Sequence, residues 1–297
     1  MARRSRTHRL APVGLALLLA LGAACGDGSE GASGGTGADA DAPERIVSLS
    51  PAATEIIYAV GAGDQVVAVD DFSNYPEDAP MTDLSGYTPN VEAILDHDPD
   101  LVVLSADTND VVAGLEAAGV EVLLTPSAAT LDEAWQQFIA VGEATGHADE
   151  AAEVLDDLKG QMDELAASVP KHDEPLTYYF ELSRDFYSVS SNTFIGEVLA
   201  MAGLKSIADA ADDGSGYPQL TAEAILEADP DVIFLADTKF DGGETIESAG
   251  ARPGWDQLTA VQDGNVVELD DDIASRWGPR VVDLLQAVVD ATAKVPA

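Results

Sequence analysis

The sequence predicts an α/β protein of two lobes, each built on a mainly parallel central sheet, joined by one long helix. Three observations predict it. Glu92 to Leu104 reads EAILDHDPDLVVL and, 131 residues later, Glu223 to Leu235 reads EAILEADPDVIFL. That offset gives each copy room for its own domain and is too long for a solenoid repeat. Short apolar runs alternate with helical patterns in both halves of the chain, and between those halves lies one uninterrupted helical pattern over 147–169.

Each copy reads as half of an α/β unit. A polar cap candidate, Asn90 or Thr221, precedes an apolar pair (Ile94 and Leu95, or Ile225 and Leu226) in a short helix that stops before Pro99 or Pro230. The apolar runs that follow, 101–104 and 232–235, have the length and β-branching of strands buried on both faces. Upstream, 45–49 is strand-like, and Ser50-Pro51 opens a helix carrying Thr54, Glu55, Ile56, Ile57 and Val60 that ends near Gly61 or Gly63. Strands at 65–69, 101–104 and 120–124 alternate with helices at 110–118 and 130–144, the pattern of a parallel sheet. The 147–169 helix puts Ala151, Val154, Leu155, Leu158, Met162 and Leu165 on one face, and Pro170 ends it. Beyond it come a strand at 176–181, a helix at 193–202, the second copy, a strand at 266–269 and a helix at 281–289.

The N-terminus reads as an export signal. Arg3, Arg4, Arg6 and Arg9 precede an apolar stretch, 10–24, too short to span a bilayer comfortably. The chain's single cysteine, Cys25, follows Ala23-Ala24, and Leu21-Gly22-Ala23-Ala24-Cys25 resembles a lipobox with Gly22 at a usually aliphatic place. This implies cleavage before Cys25 and lipidation of its thiol; the alternative is an ordinary secretory signal that leaves a free thiol. Residues 26–43 are Gly-, Ser-, Ala- and Asp-rich, a flexible tether spanning about 20 to 25 Å. The expected organisation is a signal (1–24), an anchored linker (25–43), an N-terminal lobe (44–146), a connecting helix (147–170) and a C-terminal lobe (171–297).

Composition supports two cores, with 46% hydrophobic residues in 297. The formal net charge is −40, from 14 basic and 54 acidic residues. Loss of the four signal arginines leaves 10 basic against 54 acidic, a net of −44. Such a surface repels nucleic acid and anionic lipid headgroups, and an acidic shell of this kind suits high external salt.

Enzyme signatures are missing from the sequence: it has no Gly-rich lysine loop for phosphates, no G-x-S-x-G elbow and no H-E-x-x-H. After the signal only His97, His147 and His172 remain, too few for the histidine and carboxylate sets that hold bare zinc or manganese. The acidic run Asp270 to Asp272 lacks EF-hand spacing and reads as solvated.

The motifs RIVSLSPAATEIIYAVGAGDQVVAV, SNYP, NVEAILDHDPDLVVL, NTFIGEVLAMAG, YPQLTAEAILEADPDVIFL, RPGW and DDDIASRWGPRVVD resemble those of the substrate-binding proteins of cobalamin and ferric-siderophore ABC importers. The resemblance runs from about Arg45 to Ala293. It implies two α/β lobes on one rigid helix, a ligand cleft between them, and no cofactor besides the ligand, an iron chelate or corrinoid. The implied partners are the ABC permease with its ATPase and, through the N-terminal lipid, the outer face of the cell membrane; the protein is expected to be a monomer. It also implies that Glu92 and Glu223 form salt bridges with permease arginines. The alternative is a Glu that only complements its helix dipole, worth roughly 0.3 to 1 kcal/mol.

The same resemblance nominates the cleft. Tyr217 stands where cobalamin-binding members carry a tryptophan, Tyr87 lies near the corresponding point before Glu92, and Phe72 and Tyr75 in DFSNYP match an aromatic wall. Arg276 in SRWGPR could offer its fork to an anionic ligand, with a salt bridge to Asp270, Asp271 or Asp272 as the alternative. Trp277 replaces the family's usual proline. Arg184 and Tyr187 are candidates for the opposite wall, and Trp255 is expected near the cleft. The competing functions are a bare-metal or haem-binding importer component, a hydrolytic enzyme with a deep acid and base pocket, and an adhesion module with a broad apolar patch.

Overall fold

The computed structural model describes residues 42–239 and 243–296. The expected export signal, Cys25 and tether residues 26–41 lie outside the described residues. Everything described belongs to one compact unit.

The N-terminal half runs β1 (Ile46–Leu49), α1 (Pro51–Ala59), β2 (Val66–Val69), α2 (Val91–Leu95), β3 (Leu101–Leu104), α3 (Val111–Ala117), β4 (Glu121–Leu124) and α4 (Leu131–Thr145). Helix α5 (Ala148–Ser168) follows. The C-terminal half runs β5 (Leu176–Glu181), α6 (Phe194–Met201), β6 (Leu204–Ser206), α7 (Ala222–Ala228), β7 (Val232–Leu235), α8 (Ile246–Gly250), α9 (Thr259–Gln262), β8 (Val266–Glu268), α10 (Asp271–Ser275) and α11 (Val281–Thr292). The two sheets have the same order, β2-β1-β3-β4 and β6-β5-β7-β8, and every strand pair is parallel.

The central strands β3 and β7 are apolar without a break because both of their faces are covered. Ile46, Leu101 and Val103 pack on one side with α1, α4 and α5; Val47, Leu49, Val102 and Leu104 pack on the other with Ile94 of α2 and Val111 and Leu115 of α3. In the second sheet Tyr178, Phe180, Val232 and Phe234 face α6 and α11, while Tyr179, Ile233 and Leu235 face Ile225 of α7 and Trp255. Period-two side-chain alternation thus feeds two cores per sheet.

The duplication extends to local detail. Asn90 and Thr221 both cap their helices, accepting from Ala93 N at 3.0 Å and Ala224 N at 3.2 Å. Asp98 and Asp229, each just before the proline, take left-handed φ of 46° and 44°. Asp100 and Asp231 then tie the neighbouring strand, accepting from Arg45 N at 2.9 Å and Thr177 N at 2.7 Å.

Helix α5 bridges the two halves. At 21 residues it is about 30 Å long. Ala151, Leu155 and Leu158 enter the first core and Met162 enters the second. No described helix is long and apolar enough to cross a membrane.

Candidate functional site

Parallel α/β sheets place ligands beyond the carboxyl ends of their strands, where the loops diverge. A cavity of about 330 Å³ lies there, between the halves. The N-terminal half contributes Leu49, Ser50, Asp70, Phe72, Gly86 and Tyr87 among others; the C-terminal half contributes Asp271, Asp272, Ser275, Arg276 and Trp277.

Ser50, which lines the cavity, joins a network of buried hydroxyls at the end of β1. Thr54 Oγ1 donates to Ser48 Oγ at 2.8 Å and lies 3.0 Å from Ser73 Oγ, and Thr125 Oγ1 donates to Ser50 Oγ at 3.2 Å. Ser50 is the backbone N-cap of α1 but makes no side-chain cap bond, so its hydroxyl serves this network instead. Gly86 permits the close approach of the loop: a Cβ there would lie 2.7 Å from both Leu49 O and Asp70 Oδ2.

Of the expected cleft aromatics, Phe72, Tyr87 and Trp277 line the cavity. Phe72 and Tyr87 meet edge to face, centroids 5.5 Å apart, which leaves Tyr87 73% exposed. Trp277 Nε1 donates to Gln137 Oε1 at 2.7 Å. Tyr75 is elsewhere: the Arg280 guanidinium stacks on its ring at 4.4 Å, and it lines a second pocket with Tyr58, Pro76 and Asp78. Tyr187 and Tyr217 are half-exposed on paired C-terminal loops, where Tyr187 bridges Gln219 and Ser188 N donates to Pro218 O at 3.0 Å; neither lines the cavity. Trp255 is buried against Tyr179 and Phe186, away from the cavity, because its indole fills the core between the second sheet and α7.

The arginines depart from expectation. Arg276 is only 8% exposed and donates to Glu55 Oε1 (3.0 Å), Asn74 Oδ1 (2.9 Å), Phe72 O (2.9 Å) and Asp272 Oδ1 (2.7 Å). With those donors occupied, its fork clamps the two halves together and does not stand free for an anion. Arg184 is likewise engaged, through Glu244 at 2.8 Å and Gly243 O at 3.1 Å. The Asp270 to Asp272 run is not merely solvated. Asp270 caps α10, Asp271 is buried and accepts from Thr238 and from Lys239 N, and Asp272 pairs with Arg276 and Lys239.

Sequence reasoning missed Glu55, which is fully buried on α1 and receives both Arg276 and Arg280. An acid inside the apolar stretch PAATEIIYA was the available signal. It also missed Asp70, buried in the cavity wall with its Oδ1 unpartnered among the described residues. Burial pushes the Asp70 carboxyl above its ordinary range. A third omission is a buried trio, Glu181, Asp237 and Glu244, beside Arg252. Burial, then the charges of Glu181 and Glu244, push Asp237 up to about 7.

Glu92 and Glu223, expected to reach a partner, are exposed in the first turns of α2 and α7. Neither has an ion-pair partner among the described residues.

The comparisons with known proteins agree with this geometry. Residues 46–273 match the family model for periplasmic binding proteins. An uncharacterized ABC transporter substrate-binding lipoprotein of Bacillus subtilis is 31% identical, over 84% of this chain and 80% of its own length. A cobalamin-binding protein of Halobacterium salinarum is 33% identical, over 84% of this chain and 69% of its own. Among solved structures, a periplasmic heme-binding protein from a Roseiflexus species has a TM-score of 0.71 at 27% identity, covering 84% of this chain and 99% of that one. Two parallel-sheet lobes on a bridging helix, an interlobe cavity and these matches lead to one assignment: the chain belongs to the periplasmic binding protein family, as the substrate-binding component of an ABC importer.

Proposed function

We propose that the protein is anchored outside the cell membrane through a lipid on Cys25, works as a monomer, and captures a corrinoid or, as the second reading, a ferric siderophore. The observation that carries this is the interlobe cavity walled by Phe72, Tyr87 and Trp277. Aromatic faces give a large flat ligand wide contact at small entropic cost. A cavity of about 330 Å³ is at the low end for small-molecule sites, so such a ligand seats one edge in it and lies across the open aromatic rim. The cobalamin-binding relative favours the corrinoid. No chemistry is performed on the ligand: the protein's work is binding, followed by docking.

Glu92 and Glu223 are the docking contacts. They occupy the same helical position in each copy, exposed and unpaired among the described residues, and opposite charges on a permease would fix register and partner choice. Glu92→Ala combined with Glu223→Ala should abolish ligand uptake by cells while leaving the affinity of the purified protein for cyanocobalamin unchanged. Weakened affinity, or full uptake, contradicts the docking role.

A further inference from the structure

Four charged side chains line the cavity: Asp70, Asp271, Asp272 and Arg276. Three of them are already engaged. Asp271 accepts from Thr238 N (2.8 Å), Thr238 Oγ1 (2.6 Å) and Lys239 N (2.9 Å). Asp272 accepts from Arg276, Asn74 and Lys239, and Arg276 donates to four protein oxygens. Asp70 differs. It is 2% exposed, and its Oδ1 is buried without a partner among the described residues. Gly86 closes over its other oxygen, which a Cβ at that position would approach to 2.7 Å.

Ser73 and the charge of Arg276 offset part of the cost of burying this carboxyl, yet its Oδ1 still lacks the hydrogen bond that its water gave in the unfolded chain, and a buried oxygen left so is costly. An incoming N–H group would restore what burial removed. An incoming anion meets three acids and a guanidinium that has no fork to offer. We propose that Asp70 is the polar anchor of the ligand and that it makes the cleft selective for uncharged or cationic ligands bearing N–H donors, over anionic chelates. A corrinoid, whose rim carries carboxamides, belongs to the favoured class; haem with its two propionates and ferric tricatecholates belong to the rejected one. This rests on the reading of the interlobe cavity as the ligand site.

The test is a calorimetric titration of the full chain, wild type and Asp70→Asn, against cyanocobalamin, a corrinoid monocarboxylate made by hydrolysing one amide, and haem. The wild type should bind cyanocobalamin at least ten times more tightly than haem. Asp70→Asn should weaken cyanocobalamin by roughly ten- to a hundred-fold, the range for a lost charge-assisted hydrogen bond, and narrow the gap to the anionic probes. The wild-type probe series stands even if the variant folds poorly. Haem bound as tightly as cyanocobalamin, or a selectivity that Asp70→Asn does not move, overturns the anchor while leaving the cavity as the binding site. Binding of none of the probes overturns both.

Discussion

A guanidinium has five N–H donors, and four hydrogen bonds from Arg276 end on protein oxygens. The sequence placed this residue at the cleft but could not show that Glu55, 221 positions earlier, would compete with a ligand for its fork. That pairing is set by tertiary packing, which leaves no periodic trace. Asp70 and Asp237 escaped for the same reason: an acid just after an apolar strand looks like a loop acid until its burial is known. Asp237 also yields a pH prediction. Its folded pKa, about 7, lies above the ordinary 3.8, so the native state holds a proton that the unfolded chain releases. Its stabilising contribution is therefore complete below about pH 4 and is lost as pH rises through 7. Asp237→Asn should raise the thermal midpoint by a few degrees at pH 8, with the gain shrinking towards pH 5; a gain that grows at low pH contradicts the assignment.

Among the elements, those with an unbroken apolar run or a long amphipathic stripe were legible. The 176–181 strand and the long central helix lie where periodicity puts them. Strand β6 was not legible, since Leu204-Lys205-Ser206 is three residues with one apolar pair-forming side chain. Helices α8, α9 and α10 are five residues or fewer, too short for a stripe, and α10 hides in an acidic run. Yet α10 and the turn into α11 form the wall that locks onto α1. Arg276 and Arg280 both reach Glu55, Arg280 in a two-pronged contact through Nε and Nη2. Removing one partner of a buried ion pair strands the others. Glu55→Ala should destabilise the protein by about 3 kcal/mol in urea denaturation; a loss within the small range of surface substitutions would mean that the clamp carries little.

At the scale of the whole molecule the halves are held by more than α5. Asn74 bonds Asp272, Trp277 bonds Gln137, and Glu197 of α6 accepts from Leu131 N at the start of α4. These cross-links, with the Glu55 clamp, favour modest closure around a ligand over a wide hinge motion. They also leave the cavity between Phe72, Tyr87 and Trp277 largely preformed. The duplicated EAIL segments made two lobes and two matching glutamates legible; of the cavity's lining only Phe72, Tyr87, Arg276 and Trp277 were legible, through the family motifs, because the lining comes from loops in which the halves differ. Whether this cavity holds the ligand is decided by calorimetric titration with cyanocobalamin of the wild type, Trp277→Ala and Tyr75→Ala. A single site that Trp277→Ala weakens at least tenfold and Tyr75→Ala leaves intact is the expected result; no binding, or an affinity lost with Tyr75 and kept without Trp277, would contradict it.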